Sequence, residues 1–187
     1  GKLEESLLAA LEPLLKDPFA DPAFVSFMLQ LPSEAYVAQF LTTVDPELAF
    51  RSRESLLKAI AKHHRQHFEG IYGKLSTQDL SGLSQKAMGL RSLLNTSLMY
   101  LCLSDDVRDL EKALVQRRTA KDMTTELGAL EALNRSLHPA RLTAIDEFKA
   151  KWKHEPLVMN KWLTIRAVAA TPNSLSEVKA LMDDPVY

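Results

Sequence analysis

Apolar residues recur along the chain every three or four positions. One such stripe is formed by Leu7, Leu8, Leu11, Leu14 and Leu15, and this spacing is typical of the buried face of an amphipathic helix. We find no run of alternating β-branched residues that is bounded by a hairpin turn, so we expect no strand. The pattern predicts an all-α protein.

The longest stripe predicts a single helix of about seven turns, from Pro46 to Tyr72. The segment from Leu90 to Leu103 is apolar nearly all round, which is typical of a helix in the middle of an assembly. Further helices are predicted at roughly 106–118, 123–137, 140–153, 157–170 and 174–183. The longest polar connection is predicted between Lys74 and Ser84.

Prolines mark the predicted helix starts and breaks. Proline suits the first helical turn because the amide that it lacks would have no partner there. Asp45-Pro46-Glu47 adds a capping side chain and an acidic first turn, and Ser174-Leu175-Ser176-Glu177 matches a capping box. The prolines concerned are Pro18, Pro22, Pro32, Pro46, Pro139, Pro156 and Pro172.

The second half of the chain carries a repeat rhythm. Helix starts near Asp122, Pro139, Pro156 and Ser174 lie about 17 residues apart, which gives about 34 residues for a helix pair. The tetratricopeptide consensus residues are absent. The sequence therefore predicts an irregular α-solenoid, a right-handed superhelix of about ten helices in antiparallel pairs of the HEAT or armadillo kind. We expect residues 1–187 to form a single helical-repeat domain.

Composition and charge exclude several classes of function. The 187 residues include 46% hydrophobic and 25% charged residues, and the net charge is -1, so a basic nucleic-acid footprint is absent over the whole chain. No stretch is apolar for the roughly 20 residues that a membrane span needs. The single cysteine, Cys102, cannot form an intramolecular disulfide, which favours a reducing, cytoplasmic compartment. We expect neither a nucleic-acid nor a membrane partner.

The histidines of the segment His63-His64-Arg65-Gln66-His67 are the densest group of potential metal ligands. His63 and His67 are four residues apart, so both could face one ion, as in the HExxH motif. The segment has no glutamate to activate water, because His64 stands in the second position. His64 and His67 also fall on the apolar stripe, so we expect partly buried, hydrogen-bonded structural histidines and no metal site.

Other candidate groups also favour structural roles. Cys102 lies in the most apolar helix, whereas a reactive thiol needs an electropositive setting. Asp105-Asp106 and Asp183-Asp184 are adjacent carboxylates that resemble helix termini, and no nucleophile elbow or glycine-rich phosphate loop occurs. We therefore predict no catalytic and no cofactor-binding residue.

Cations and aromatic residues alternate in a late segment, a combination that single-stranded nucleic-acid binding uses. The alternative is that Phe148 and Trp152 pack inward while lysine stems coat the opposite face, and Asp146, Glu147 and Glu155 dilute the positive charge. We prefer this packing interpretation. The segment contains Lys149, Lys151, Trp152, Lys153, Lys161, Trp162 and Arg166.

Several motifs together resemble the C-terminal helical domain of bacterial aminopeptidase N, the zinc-dependent alanyl aminopeptidase family. Residues 148–162 resemble the family pattern F-x-x-x-W-x-x-x-x-L-V-x-x-K-W, and Arg91 to Leu98 are similar to R-x-x-x-N-x-x-L. Further resemblances, in the same order as in the family, are Leu31-Pro32-Ser33-Glu34, Val44-Asp45-Pro46, and Met123-Thr124 followed by Ala129-Leu130. The chain departs from the pattern with Asp122 in place of Asn and Asn160 in place of Asp. The matches cover residues 31 to 165.

The resemblance implies a non-catalytic part of a larger enzyme. In the family, an upstream catalytic domain carries the HExxH zinc motif and the GAMEN segment, and the C-terminal domain covers the active-site cavity through which peptide substrates pass. The chain contains neither motif and ends before the family's N-P-N-R segment, so we expect a domain truncated on both sides. Its partner would be the catalytic domain of the same polypeptide, with zinc in that domain. The alternative is a free-standing helical-repeat module that binds a peptide or protein.

Overall fold

Every regular element that the structure describes is an α-helix. The computed structural model describes residues 2–104, 106–169 and 171–184, and no strand occurs among them. The predicted all-α class is therefore confirmed. The helices are α1 (Lys2–Lys16), α2 (Pro22–Met28), α3 (Glu34–Ala38), α4 (Pro46–His63), α5 (Arg65–Leu75), α6 (Gln85–Cys102), α7 (Val107–Thr119), α8 (Met123–Asn134), α9 (Ala140–Trp152), α10 (Pro156–Ala167) and α11 (Ser174–Met182).

The chain divides into two compact units, residues 1–104 and residues 105–187. Unit 1 contains α1 to α6 and unit 2 contains α7 to α11. Helices that follow each other pack side by side within each unit: α4 on α5, α5 on α6, α7 on α8, α9 on α10 and α10 on α11. That the whole chain forms a single domain stays a prediction.

The helix starts follow the predicted local signals closely. Asp45 Oδ1 accepts a hydrogen bond from the Leu48 amide at 3.0 Å, and Pro46 is the first residue of α4. The helices of the second half begin at 123, 140, 156 and 174, as their spacing predicted. These boundaries are set by capping and by proline, which act within a few residues.

The predicted capping box at Ser174 is wrong. Asn173 precedes α11, and the Ser174 hydroxyl instead accepts a hydrogen bond from the Thr171 amide at 2.9 Å. The carboxylate of Glu177, which would complete a capping box, pairs with Arg141 of α9. A charged partner on another helix outcompetes the local backbone amide.

The predicted helix from Pro46 to Tyr72 is two helices. The break falls at His64, whose φ of −103° and ψ of 18° lie outside the α-helical range. The His64 side chain is completely buried and its Nε2 lies 3.0 Å from the carbonyl oxygen of Leu8 in α1. The helix therefore breaks at the residue that contacts Leu8 of α1. The apolar spacing of residues 46–72 does not indicate this break.

Helix α6 lies at the centre of unit 1, where it packs on α2, α4 and α5, as its apolar surface predicted. Tyr100 donates a hydrogen bond to the carbonyl of Leu29 at 2.6 Å, and its ring stacks on Phe68 at 4.6 Å. Gly89 permits the close approach of α2, because a Cβ atom there would lie 3.0 Å from the backbone nitrogen of Ala23. The burial of this helix defines the core of unit 1.

The core of unit 2 is built from apolar residues of α7 to α10. Leu130, Ile145 and Phe148 are completely buried, and the Trp162 indole donates to the carbonyl oxygen of Ile145 at 3.2 Å. The Trp162 indole thereby has a partner for its single donor, which avoids the cost of an unsatisfied polar group, whereas Trp152 Nε1 is buried without one. This arrangement joins α9 and α10.

Candidate functional site

Three potential metal-ligating side chains meet at the break between α4 and α5, where α1 packs against α4. The Glu12–His64–His67 cluster consists of these three residues. Glu12 Oε2 lies 3.4 Å from His64 Nδ1, and Glu12 Oε1 lies 4.0 Å from His67 Nε2. The three ligand atoms all lie within 4.8 Å of one another, so one cation could contact all three after small adjustments.

The buried ring of His64 has a defined orientation and a shifted pKa. Its Nε2 lies 3.0 Å from the Leu8 carbonyl oxygen, and because a carbonyl only accepts, we assign the ring proton to Nε2. Burial lowers the pKa of His64, although the Leu8 hydrogen bond and Glu12 act in the opposite direction. The neutral ring then presents the Nδ1 lone pair toward Glu12.

The structure brings together a different set of residues from the histidine pair considered in the sequence. His64, which is buried and hydrogen-bonded as predicted, joins His67, whereas His63 is exposed. Glu12 was missed because it lies 52 positions before His64 and no local motif links them. Only the packing of α1 against α4 brings the carboxylate to the histidines.

The predicted structural roles of the other single residues agree with their positions. Cys102 is buried at the end of α6. Asp106 caps α7 by accepting a hydrogen bond from the Arg108 amide at 2.9 Å, and Asp184 Oδ2 lies 2.5 Å from Lys149 Nζ. Asp105 lies outside the described residues. Cys102 is therefore part of the core, Asp106 caps a helix, and Asp184 forms an ion pair just after the end of α11.

The segment of cations and aromatic residues is largely engaged in packing. Phe148 is completely buried and Trp162 nearly so, with Lys149 Nζ 4.7 Å from the centre of the Trp162 ring. Lys151 pairs with Glu126 at 2.8 Å. A base would have to stack on an exposed aromatic face, and Trp162 offers none, although Trp152, which was predicted to pack inward with Phe148, is only half-buried. The packing interpretation therefore fits these residues better.

Unit 2 contains a buried charged network that the sequence analysis did not identify. Arg141 donates two hydrogen bonds to Glu177, at 2.7 and 3.2 Å, and a third to Asn134 Oδ1 at 3.0 Å. The hydrogen bond from Arg141 lowers the pKa of Glu177. This network ties α8, α9 and α11 together. Its partners lie on three different helices, so no sequence spacing indicates it.

An unusual number of large apolar side chains is exposed around α3. The α3 face consists of Tyr36, Val37, Phe40, Leu41 and Val44, and their exposed fractions range from 41% for Val37 to 72% for Phe40. Helix α3 buries none of its own residues. The rings of Tyr36 and Phe40 are in contact, with their centres 5.3 Å apart, and a group of exposed apolar side chains typically marks a contact with another protein surface.

An open groove between α1 and α4 offers no comparable chemistry. Its lining includes Arg51, Ser52 and Ser55. Arg51 pairs with Glu47 at 2.6 Å, and both side chains are exposed. The lining also contains Glu4, but Glu4, Ser52 and Ser55 are all exposed, whereas a serine nucleophile is activated by a base that is held within hydrogen-bond reach. We assign no reaction to it.

Among the residues described, none of the helices is both long and apolar enough to cross a bilayer.

Comparison with known proteins identifies the family. A family model described as "Domain of unknown function (DUF3458_C) ARM repeats" matches residues 1–187. Curated relatives include aminopeptidase N of Caulobacter vibrioides, which is 29% identical over 98% of this chain and 21% of that protein. Aminopeptidase N of Haemophilus influenzae is 28% identical over 100% of this chain and 21% of that protein. The chain thus spans about a fifth of the length of these relatives.

A solved structure has the same fold. The crystal structure of Legionella pneumophila aminopeptidase A in complex with aspartic acid matches with a TM-score of 0.81 and 24% sequence identity, over 95% of this chain and 22% of that chain. The ARM-repeat description confirms the predicted irregular solenoid class, and the relatives confirm the predicted resemblance to aminopeptidase N. The chain belongs to the DUF3458_C family of helical ARM-repeat domains, as a segment that corresponds to part of an aminopeptidase.

Proposed function

We propose that this chain is the non-catalytic C-terminal helical domain of a zinc metallo-aminopeptidase that removes N-terminal amino acids from peptides. The main support is the similarity to aminopeptidase N over nearly the whole chain and only about a fifth of each relative. Four fifths of such a protein would lie in other parts of the polypeptide. The enzyme would act in the cytoplasm on peptides that pass through its cavity.

The residues of this chain do not fit the catalytic zinc role. In the parent, zinc bound to an upstream domain would supply an activated water as the nucleophile. A zinc peptidase also needs a glutamate beside its histidines as general base, but His64 occupies that position in the segment from His63 to His67, and His63 is exposed. We therefore assign the reaction to the upstream domain.

The α3 face is the observation that carries the proposed role of this domain. Phe40 and Leu41 are 72% and 46% exposed, and the whole of α3 lacks a buried side chain. Burial of such side chains contributes roughly 25 cal/mol per Å² of apolar area, which favours a covered position in the complete enzyme. We propose that the catalytic domain packs on the α3 face and that this chain forms part of the wall of the active-site cavity.

The proposal can be tested by separating the two parts of the polypeptide. The upstream part of the reading frame and this chain would be expressed as separate proteins and mixed. We expect them to associate, and we expect Phe40→Glu with Leu41→Glu to reduce the association at least tenfold, because two charges would be buried without partners. Leu83→Glu is the matched control, since Leu83 is 90% exposed outside the α3 face.

The alternative function is a free-standing helical-repeat module that binds a peptide or protein partner. The same exposed α3 face would then bind a separate protein. The reading frame distinguishes the two functions. An upstream segment with HExxH and GAMEN motifs supports the aminopeptidase, whereas a reading frame that encodes only this chain supports the free-standing module.

A further inference from the structure

The Glu12–His64–His67 cluster has the composition of a metal site with two imidazoles and one carboxylate. We propose that these three side chains bind one divalent transition-metal ion of the zinc type, with solvent at the remaining position. The site would lie where α1 packs against the break between α4 and α5. The inference is independent of the proposed aminopeptidase function, because all three ligands belong to this chain.

His64 is oriented as a metal-ligating histidine would be. Its Nε2 is held by the backbone carbonyl of Leu8 at 3.0 Å, and a hydrogen bond of this kind to the second ring nitrogen is what commonly orients a histidine ligand. The other nitrogen, Nδ1, is completely buried and has no hydrogen-bond partner among the described residues. A buried acceptor without a partner is costly, and a metal ion would provide the partner.

The spacing between Glu12 and His64 matches one edge of a coordination tetrahedron. Zinc–nitrogen and zinc–oxygen bonds are about 2.0–2.1 Å long, so two ligands of a tetrahedral ion are roughly 3.3 Å apart. Glu12 Oε2 and His64 Nδ1 are separated by 3.4 Å. Without a cation or proton between them, the carboxylate oxygen and the lone pair would face each other as two acceptors.

His67 can complete the site with a small movement. Its Nε2 lies 4.0 Å from Glu12 Oε1, and its side chain is 31% exposed, so it can move toward the ion without repacking the core. His67 lies one helical turn after His64, which places both rings on the same side of the chain. Their ring centres are 5.8 Å apart.

The ligand types indicate which ions would bind. Imidazole nitrogen suits zinc, copper, nickel and cobalt, whereas calcium and magnesium prefer a shell made of oxygen atoms. Lys16 Nζ lies 3.5 Å from Glu12 Oε1 and competes for the carboxylate. The competing ammonium would weaken binding, so its removal is expected to strengthen it.

The inference can be tested by metal titration of the 187-residue chain without a histidine tag. After treatment with a chelator, we expect equilibrium dialysis to show one Zn²⁺ per chain and no binding of Mg²⁺. Co²⁺ should give the strong visible absorption of a four-coordinate ion. Glu12→Gln and His67→Ala should each weaken Zn²⁺ binding at least tenfold, since each removes one of three protein ligands.

Two further variants serve as controls for position and charge. His63→Ala removes an exposed neighbouring imidazole and should leave the affinity unchanged, whereas Lys16→Gln should raise it severalfold. Circular dichroism would verify that each variant remains folded. The inference is overturned if the chain does not bind Zn²⁺ at 100-fold molar excess, or if His63→Ala weakens binding while Glu12→Gln does not. The latter result would assign the ion to a surface pair of histidines.

Discussion

The two units of this molecule bury different kinds of polar group. In unit 1, the core rests on the apolar surface of α6, and the buried polar side chains are two serines, the neutral His64 and Arg91, which donates hydrogen bonds to the carbonyl oxygens of Leu80 and Gly82. In unit 2, the buried set includes Arg117, Glu126 and Arg141, each of which pairs with an opposite charge. Among the described residues, unit 1 therefore buries a single charged side chain, whereas unit 2 buries several that form ion pairs.

The two units also differ in the candidate binding sites that they contain. Unit 1 carries both the α3 face and the Glu12–His64–His67 cluster, whose groups are only partly satisfied by their own unit. In unit 2, the charges of Arg141 and Glu177 satisfy each other. Unit 2 also has buried polar atoms without a hydrogen-bond partner, such as Arg117 Nε and Trp152 Nε1. The two surfaces that we propose for binding nevertheless both lie in unit 1, where exposed apolar side chains and potential ligand atoms are grouped.

The largest expected effect comes from breaking the charged network of unit 2. Arg141→Ala removes the main partner of Glu177, whose side chain is 15% exposed and also contacts Thr171, and loss of one member of a fully buried pair costs about 3–5 kcal/mol, which is the upper limit here. Hydrogen exchange measured by mass spectrometry should increase in α8, α9 and α11. Arg118→Ala, at an exposed position of α7 in unit 2, is the control. If the amides of α8, α9 and α11 exchanged equally slowly in both variants, the network would not stabilise unit 2, which would contradict the account.

Truncation of the α6 core should have a slightly smaller effect on unit 1. Leu98 is completely buried, and Leu98→Ala is expected to lower the free energy of unfolding by about 3 kcal/mol through lost burial and a residual cavity. Urea unfolding would measure the change. Leu83→Ala, at a 90% exposed position, should change stability by less than about 0.5 kcal/mol. A similar loss in both variants would argue against α6 as the core.

A pair of glycine substitutions tests the close contact between α2 and α6. Gly89→Ala would place a methyl group 3.0 Å from the Ala23 nitrogen, and such overpacking costs about 1–3 kcal/mol. Gly70→Ala has no atom within 4 Å of its new methyl group and should stabilise α5 by about 0.5–1 kcal/mol. Thermal unfolding should shift in opposite directions. A shift in the same direction would contradict the α2–α6 contact.

Acid should destabilise unit 2 through Glu177. Its pKa is lowered from the ordinary value of 4.5, chiefly by the hydrogen bond from Arg141. The resulting stabilisation is present above pH 4.5 and is lost as the pH falls through the lower native pKa, because the unfolded carboxyl binds a proton first. Urea unfolding between pH 6 and 3 should show a shallower decline in Glu177→Gln. An unchanged pH dependence would contradict the assignment to this group.

The smallest effect on stability is expected at the α3 face. Phe40 is 72% exposed, so Phe40→Ser should change the free energy of unfolding of this chain by less than about 0.5 kcal/mol. The same substitution should impair association with the upstream part of the polypeptide. A large loss of stability would mean that Phe40 serves the core of unit 1 and does not face a partner.

The local features of the fold could be predicted from the sequence, but the features that depend on distant contacts could not. Asp45 and Pro46 define the start of α4 within three residues, and the regular spacing in unit 2 gives the starts of four helices. The break at His64 was missed because the apolar spacing continues through it, and the ring is fixed by Leu8 in another helix.

The candidate site was only partly predictable for the same reason. The histidine-rich segment indicates possible ligands, but the carboxylate that joins His64 and His67 in space is Glu12 of α1. The capping box at Ser174 failed because Glu177 binds Arg141, which lies 36 positions earlier. A side chain that could form a hydrogen bond within a local motif can instead bind a residue of another helix. Which of the two partners it binds depends on how the helices pack.

The central claim is that this chain is a non-catalytic part of an aminopeptidase. The most direct test is hydrolysis of an alanyl chromogenic substrate by the complete polypeptide of the reading frame and by the 187-residue chain alone, each supplied with zinc. We expect zinc-dependent release of the chromophore by the complete polypeptide and none above background by the chain. Zinc-dependent hydrolysis by the chain alone, or a complete polypeptide without activity, would contradict the account.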